Sequence, residues 1–232
     1  VVGYAIDRLG LPPFSYGAGL NLFTNPMLSY FMHNLGAYKV DRKKRHSIYK
    51  DVLKEYCTVS LEMAYPNLFF PGGTRTRSGA VETRLKKGLL GCGLQAYINN
   101  LKADSPNKKI FIVPANISFQ LVLEAETLIE DFLQEQGKSR YIIERDEFWD
   151  PKMVARFLFK LITLDSQIYL TIGQGYDPVG NPVNDQGQSL DPRGRPIALD
   201  DFVRKPSAGW AYEEDDDRDR QYTNELADVI VQ

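Results

Sequence analysis

The chain has 232 residues, a formal net charge of -2, and 43% hydrophobic against 25% charged residues. That is an ordinary soluble composition with enough apolar mass for one large domain or two small ones. It excludes bulk nucleic-acid binding, which needs a strongly basic face, and no apolar run reaches the about 20 residues that cross a bilayer.

Residues 1–9 read as the end of a helix stopped by Gly10. Pro12-Pro13 breaks the chain, and Phe14 to Ala18 is a short strand. Asn25-Pro26 starts a helix, with an Asn cap and Pro at the first helical position. Met27, Leu28, Tyr30, Phe31, Met32 and Leu35 make that helix apolar nearly all round, and Gly36 ends it. Tyr38 to Val40 is a strand that delivers a basic cluster, Asp41 to His46. A helix over 44–63 follows from the spacing of Ile48, Val52, Leu53 and Tyr56.

Asn67 to Phe70 is a second strand, running into Gly72-Gly73. Gly88 to Leu101 is a helix of small residues. Lys109 to Pro114 has the clearest pattern of a buried strand. Helices are expected over 120–136 and 151–163, and a strand over Gln167 to Ile172. The alternation predicts an α/β fold: a central, largely parallel mixed sheet flanked by helices. From Gly173 to Pro206, turn residues at 180–181, 185–187 and 192–194 predict hairpin-like excursions pinned by Leu190, Ile197 and Leu199. Arg218 to Val231 is a last helix. No internal repeat is expected. The chain divides as one domain over 1–232, with a core over 1–172, an excursion over 173–206 and a C-terminal helical segment over 207–232.

Cys57 and Cys92 sit among apolar or small residues and read as buried reduced thiols, which fits a cytosolic compartment. No signal peptide is recognisable. The opening Val1-Val2-Gly3-Tyr4 lacks an initiator methionine and reads as mid-pattern, a piece of something longer. The acidic run 213–217 reads as a solvated face. The carboxylates of 177–200 lack calcium-loop spacing, so no metal is expected.

The most informative segment is Leu68-Phe69-Phe70-Pro71-Gly72-Gly73-Thr74-Arg75-Thr76-Arg77-Ser78-Gly79. A strand runs into a glycine pair and then two arginines one residue apart. Glycines let backbone N–H groups approach an anion closely, and guanidinium groups add charge and forked donors. The plain alternative is a solvated turn. Arg42 follows another strand, and ligands of open α/β sheets gather beyond the carboxyl ends of strands. If the two strands point the same way, Arg42, Arg75 and Arg77 can meet around one phosphate.

Three blocks in order resemble the glycerol-3-phosphate and lysophosphatidate acyltransferase superfamily. They are Gly36-Ala37-Tyr38-Lys39-Val40-Asp41-Arg42, Phe70 to Gly79, and Ile112-Val113-Pro114-Ala115-Asn116-Ile117-Ser118. They match its second, third and fourth blocks, and the lead-in from Leu11 to Leu22 looks like the glycerol-3-phosphate branch. The resemblance spans roughly residues 1–120. It implies acyl transfer from acyl-CoA or acyl-carrier protein to glycerol-3-phosphate, with no cofactor. In the family a His-x-x-x-x-Asp pair deprotonates the attacking hydroxyl. That pair is expected just ahead of Val1, so no catalytic residue is assigned within this chain. The resemblance places the acceptor's phosphate on Arg42, Gly73, Thr74, Arg75 and Arg77, and puts Pro114 on the acyl-donor side. It also implies peripheral attachment at the cytoplasmic face of a membrane, with helix 26–35 and the cluster 41–46 toward lipid. The third block departs from the family at Gly72, where an acidic residue is usual.

Several residues have competing readings. His46 and Asp51 share the His-x-x-x-x-Asp spacing, but they follow the second block and stand about 140° apart around a helix. His33 reads as a packed histidine. Ser78 and Thr74 have no paired histidine, and Lys39, Lys43 and Lys44 extend a positive surface. Phe14, Tyr16, Phe23, Tyr30 and Phe31 fit either core packing or an acyl-chain groove. The rival functions are lysophosphatidate acylation, a non-catalytic phospholipid- or phosphate-binding domain, and a phosphohydrolase. The last needs a nucleophile or metal cluster that the sequence does not offer.

Overall fold

A computed structural model describes residues 2–41, 44, 46–72, 82–120, 167–204, 212 and 215–231. The chain forms two compact units. One comprises 1–74, 82–114 and 173–232; the other comprises 75–81 and 115–172. The helices expected over 120–136 and 151–163 lie, Gln120 apart, outside the described residues.

The first unit is built on a parallel sheet. Helix α1 (Val2–Arg8) leads to β1 (Ser15–Gly19) and a 3-10 turn, Leu20–Phe23. Helix α2 (Pro26–Asn34) then crosses to β2 (Ala37–Val40), and α3 (Ser47–Glu62) crosses back to β3 (Asn67–Leu68). The spatial order is β2-β1-β3. Strand β1 pairs parallel with β2 from Tyr16↔Ala37 to Gly19↔Val40, and with β3 at Ser15↔Asn67 and Tyr16↔Leu68. Parallel neighbours need crossover helices, which is why strand and helix signals alternate through this stretch. Helix α2 starts as its sequence dictates: the Asn25 side chain accepts from Met27 N at 2.9 Å and Leu28 N at 3.3 Å, with Pro26 at the first position.

Helix α4 (Cys92–Lys102) is the core element. Leu94, Ala96, Tyr97 and Ile98 are buried and cluster with Ile110, Val179 and Val203. Helix α3 packs beside α4. The free cysteines Cys57 and Cys92 are both buried there, as expected, and the Asn99 amide donates to Glu62 Oε1 at 2.6 Å. In the second unit, β4 (Ala115–Phe119) pairs antiparallel with β5 (Ile168–Ile172). The final helix, α5 (Asp216–Val231), sets Leu226 and Ala227 against Leu90. Within the acidic run expected to be only solvated, Asp215 Oδ1 accepts from Asp217 N and Arg218 N and so caps α5.

Three expectations are corrected. Lys109 to Pro114 does not form a strand: Ile112 makes a single bridge to Tyr176, and Phe111 and Val113 are 45% and 52% exposed. Ile110 alone faces the core fully, so the apolar run reflects one-sided burial, and the ladder starts at Ala115. The strand at 67–70 stops at Leu68, where pairing with β1 ends.

The third correction concerns repeats. Asp177, Asn184 and Asp191 recur every seven residues, and Gly180, Gly187 and Gly194 follow each by three. Each Asx side chain accepts from the backbone N–H two and four residues on. The pairs are Val179 and Asn181 at 3.0 and 2.9 Å, Gln186 and Gln188 at 3.1 and 2.9 Å, and Arg193 and Arg195 at 2.9 and 2.9 Å. The three glycines hold φ of +100°, +67° and +76°, where a Cβ is opposed. Bridges Tyr176↔Pro182, Val183↔Ser189 and Leu190↔Pro196 join the turns into a miniature antiparallel meander. Its first turn is anchored by buried Val179 and Asp177, and Leu199 packs against the same core. Leu190 and Ile197 are only half-buried.

Candidate anion site at the carboxyl edge of the sheet

Because β2 and β3 both run parallel to β1, they point the same way. Val40 and Leu68 therefore end at one edge, separated by a single strand. Two strand spacings, together with the three-residue offset between Gly19↔Val40 and Tyr16↔Leu68, put those ends roughly 14 Å apart. The basic segment starting at Asp41 and the glycine-arginine segment starting at Phe69 thus leave from the same edge of the sheet. Arg42, Gly73, Thr74, Arg75 and Arg77 themselves lie outside the described residues, as do Lys43 and Ser78.

The approaches to the site are fixed by named contacts. The Asp41 N–H donates to the Tyr49 hydroxyl at 2.8 Å, tying the exit of β2 to α3. The Lys44 ammonium stands 5.4 Å from the Tyr49 ring centroid, and the Lys39 ammonium 5.3 Å from that of Phe23. On the other side, Lys86 N–H donates to the Pro71 carbonyl at 2.7 Å and closes the loop from 71 to 86. That closure brings Glu82 over Gly72: a Cβ on Gly72 would lie 2.6 Å from Glu82 Oε2. Glu82 was not among the residues the sequence singled out, since nothing in Ala80-Val81-Glu82-Thr83 marks it. Pro114 is half-buried, and its carbonyl accepts from Gly173 N–H at 2.8 Å.

Beneath the sheet, Tyr38 of β2 lies 4.9 Å from Tyr56 of α3, ring to ring. Burial, with Cys57 beside it, pushes the Tyr38 phenol up to about 12. The Cys57 thiol is held protonated by its hydrogen bond with Cys92 and by burial. These groups support the sheet from below and are not reagents.

The other candidates separate from the site. His46 precedes α3 and makes no capping bond, while Asp51 faces Lys54 at 3.9 Å, so the two do not form a pair. His33 is exposed rather than packed. Its Nδ1 lies 2.7 Å from the Ser29 carbonyl, and its ring meets Phe23 edge-on at 5.0 Å. Phe14, Tyr16 and Phe23 are half-buried, whereas Tyr30 and Phe31 are 67% and 48% exposed. Among the described residues, no three His, Cys, Asp or Glu side chains gather as a metal site.

Comparison with known proteins gives this edge a family. The chain is 25% identical over 215 residues to a glycerol-3-phosphate acyltransferase of Ectopseudomonas mendocina (strain ymp), covering 92% of this chain and 22% of that protein. It is 28% identical over 184 residues to a glycerol-3-phosphate acyltransferase of Haemophilus ducreyi (strain 35000HP / ATCC 700724), covering 79% of this chain and 20% of that protein. The chain thus spans about a fifth of the length of these curated relatives. Residues 2–118, which include the parallel sheet and all three sequence blocks, match the Acyltransferase family, and the chain belongs to that family.

Proposed function

We propose that the protein transfers an acyl group from acyl-CoA or acyl-carrier protein to a hydroxyl of sn-glycerol-3-phosphate in phospholipid biosynthesis. The relatives' names supply the acceptor. The observation that supports the reading most is the parallel sheet order β2-β1-β3, which sends both arginine-bearing segments off one edge. In this reading Arg42, Arg75 and Arg77 bind the phosphate, with backbone N–H groups at Gly73 and Thr74. Pro114 lies on the acyl-donor side.

The chemistry needs no cofactor. The acceptor oxygen bonds to the acyl carbon as the thioester C–S bond breaks. In the chemistry that the family resemblance implies, a histidine oriented by an aspartate takes the hydroxyl proton and passes it to the departing sulfur, which leaves as a thiol. The protein works peripherally on a membrane, at its cytoplasmic face, with α2 toward the lipid.

The arginine assignment is tested in the intact protein by Arg75→Ala. Loss of a charge-assisted contact of about 1.5–3 kcal/mol should raise the KM for glycerol-3-phosphate roughly 10- to 100-fold. An unchanged acceptor dependence refutes the phosphate role. The non-catalytic alternative is favoured by one feature, Gly72 in place of an acidic side chain. It predicts that the intact protein binds glycerol-3-phosphate without turning it over.

A further inference from the structure

The exit of β2 is braced from outside the sheet. Val40 is the last residue of β2 in register with β1, opposite Gly19, so strand pairing fixes nothing beyond it. Three contacts take over. The Asp41 N–H donates to the Tyr49 hydroxyl at 2.8 Å. The Lys44 N–H donates to the Asp41 carbonyl at 3.3 Å, which joins the two ends of the stretch 41–44. The Lys44 ammonium stands 5.4 Å from the Tyr49 ring centroid. One half-buried side chain in the first turn of α3 thus holds both ends of that stretch, by its oxygen at one end and its ring face at the other. Helix α3 is itself packed against α4, so the brace is anchored to the core of this unit.

We propose that Tyr49 is a positioning residue for phosphate binding, acting through the basic stretch that it braces. This rests on the glycerol-3-phosphate reading above, in which Arg42 binds the acceptor's phosphate. Asp41 and Lys44 stand in the chain on either side of Arg42 and Lys43, and all four belong to the same compact unit as Tyr49. Arg42 is bonded to Asp41, so its Cα lies about 3.8 Å from that of a residue whose N–H is fixed. An arginine side chain carries large rotamer freedom, which binding must freeze. Fixing the backbone beside it removes part of that ordering cost before the anion arrives. A forked contact also depends on angle, and a misplacement on the order of 1 Å is costly. Lys44, held over the ring, keeps its charge beside the same edge. In this role Tyr49 touches neither the phosphate nor the reacting atoms.

The test uses the intact protein with glycerol-3-phosphate as acceptor. Tyr49→Phe keeps the ring beside Lys44 and removes the oxygen that accepts from Asp41. It should raise the acceptor KM about 3- to 10-fold, change kcat less than about twofold and leave the acyl-donor KM in place. Tyr49→Leu removes the ring as well, and the acceptor KM should rise about 10- to 30-fold. In an Arg42→Ala background, Tyr49→Phe should add less than about twofold, because the group it positions has gone. A residue that only stabilised the fold would lower the unfolding temperature and the active fraction, hence kcat, with the acceptor KM unmoved. That pattern overturns the proposal, as does a full effect of Tyr49→Phe in the Arg42→Ala background. If Tyr49→Leu fails to fold, or Arg42→Ala abolishes turnover, the split between KM and kcat in Tyr49→Phe decides. A rise in acceptor KM for Arg42→Ala with none for Tyr49→Phe overturns the proposal alone. An acceptor KM untouched by Arg42→Ala, or an intact protein that does not acylate glycerol-3-phosphate, overturns the phosphate reading and the proposal with it.

Discussion

A side chain on Gly180 would point into the backbone of Leu226: its Cβ would lie 3.2 Å from both the nitrogen and Cα of that residue. The first turn of the meander is thereby seated on helix α5. The third turn repeats the same hydrogen bonds, yet Gly194 has nothing within 4 Å of its Cβ position.

The two glycines therefore form a matched pair. Both have positive φ, +100° and +76°, so alanine at either meets a backbone cost of about 1–2 kcal/mol. Only Gly180→Ala adds overpacking against fixed backbone, about 1–3 kcal/mol more. Urea unfolding of the two variants should rank Gly180→Ala clearly below Gly194→Ala. Equal midpoints would show that the meander is not anchored through its first turn.

The parts of the fold that local chemistry controls were legible in the chain. Asn25-Pro26 could hardly be anything but a helix start, and Gly10 and Gly36 end their helices with φ of +66° and +83°. The meander's period was harder to read. Asp-Pro-Val-Gly, Asn-Asp-Gln-Gly and Asp-Pro-Arg-Gly share only an Asx and a glycine, and the turn needs only those two. Lys109 to Pro114 misleads because an apolar run reports burial, while a strand also needs continuous pairing, and within it only Ile112 forms a bridge. Of the candidate site, the approach of β2 and β3 to a common edge could be expected from the alternating pattern. The place of Glu82 could not, because it depends on a loop closed by one backbone bond between Lys86 and Pro71.

Helix α2 presents a face that invites a lipid test. An all-round apolar helix normally lies in a core, yet none of its residues is buried, and Met27, Tyr30 and Phe31 are 70%, 67% and 48% exposed. Among the described residues, no helix is long and apolar enough to cross a membrane. Contact with the interface, by contrast, needs only an apolar face and nearby cations such as Lys39 and Lys44. Co-sedimentation of the intact protein with vesicles containing anionic lipid should fall several-fold, on the order of 3–10, for Tyr30→Ser/Phe31→Ser. Unchanged co-sedimentation would remove α2 from the membrane contact.

Alkaline pH should loosen the sheet through Tyr38. Burial beneath β2, reinforced by Cys57 and Tyr56, keeps its phenol protonated up to about pH 12, whereas the ordinary value of 10.0 applies in the unfolded chain. Between these values the unfolded chain binds fewer protons, so rising pH favours unfolding. The stabilisation is complete below pH 10 and is lost as pH climbs through about 12. Tyr38→Phe removes the titrating group but keeps the ring against Tyr56. The gap in unfolding free energy between wild type and Tyr38→Phe should therefore move in favour of the variant from pH 9 to pH 11. Lysine deprotonation is common to both proteins and cancels in the difference. Tyr97, also pushed up by burial, leaves a residual slope in each. A gap independent of pH would mean that the Tyr38 phenol reaches solvent as freely in the folded protein as in the unfolded one, and that the contact between β2 and α3 is not closed.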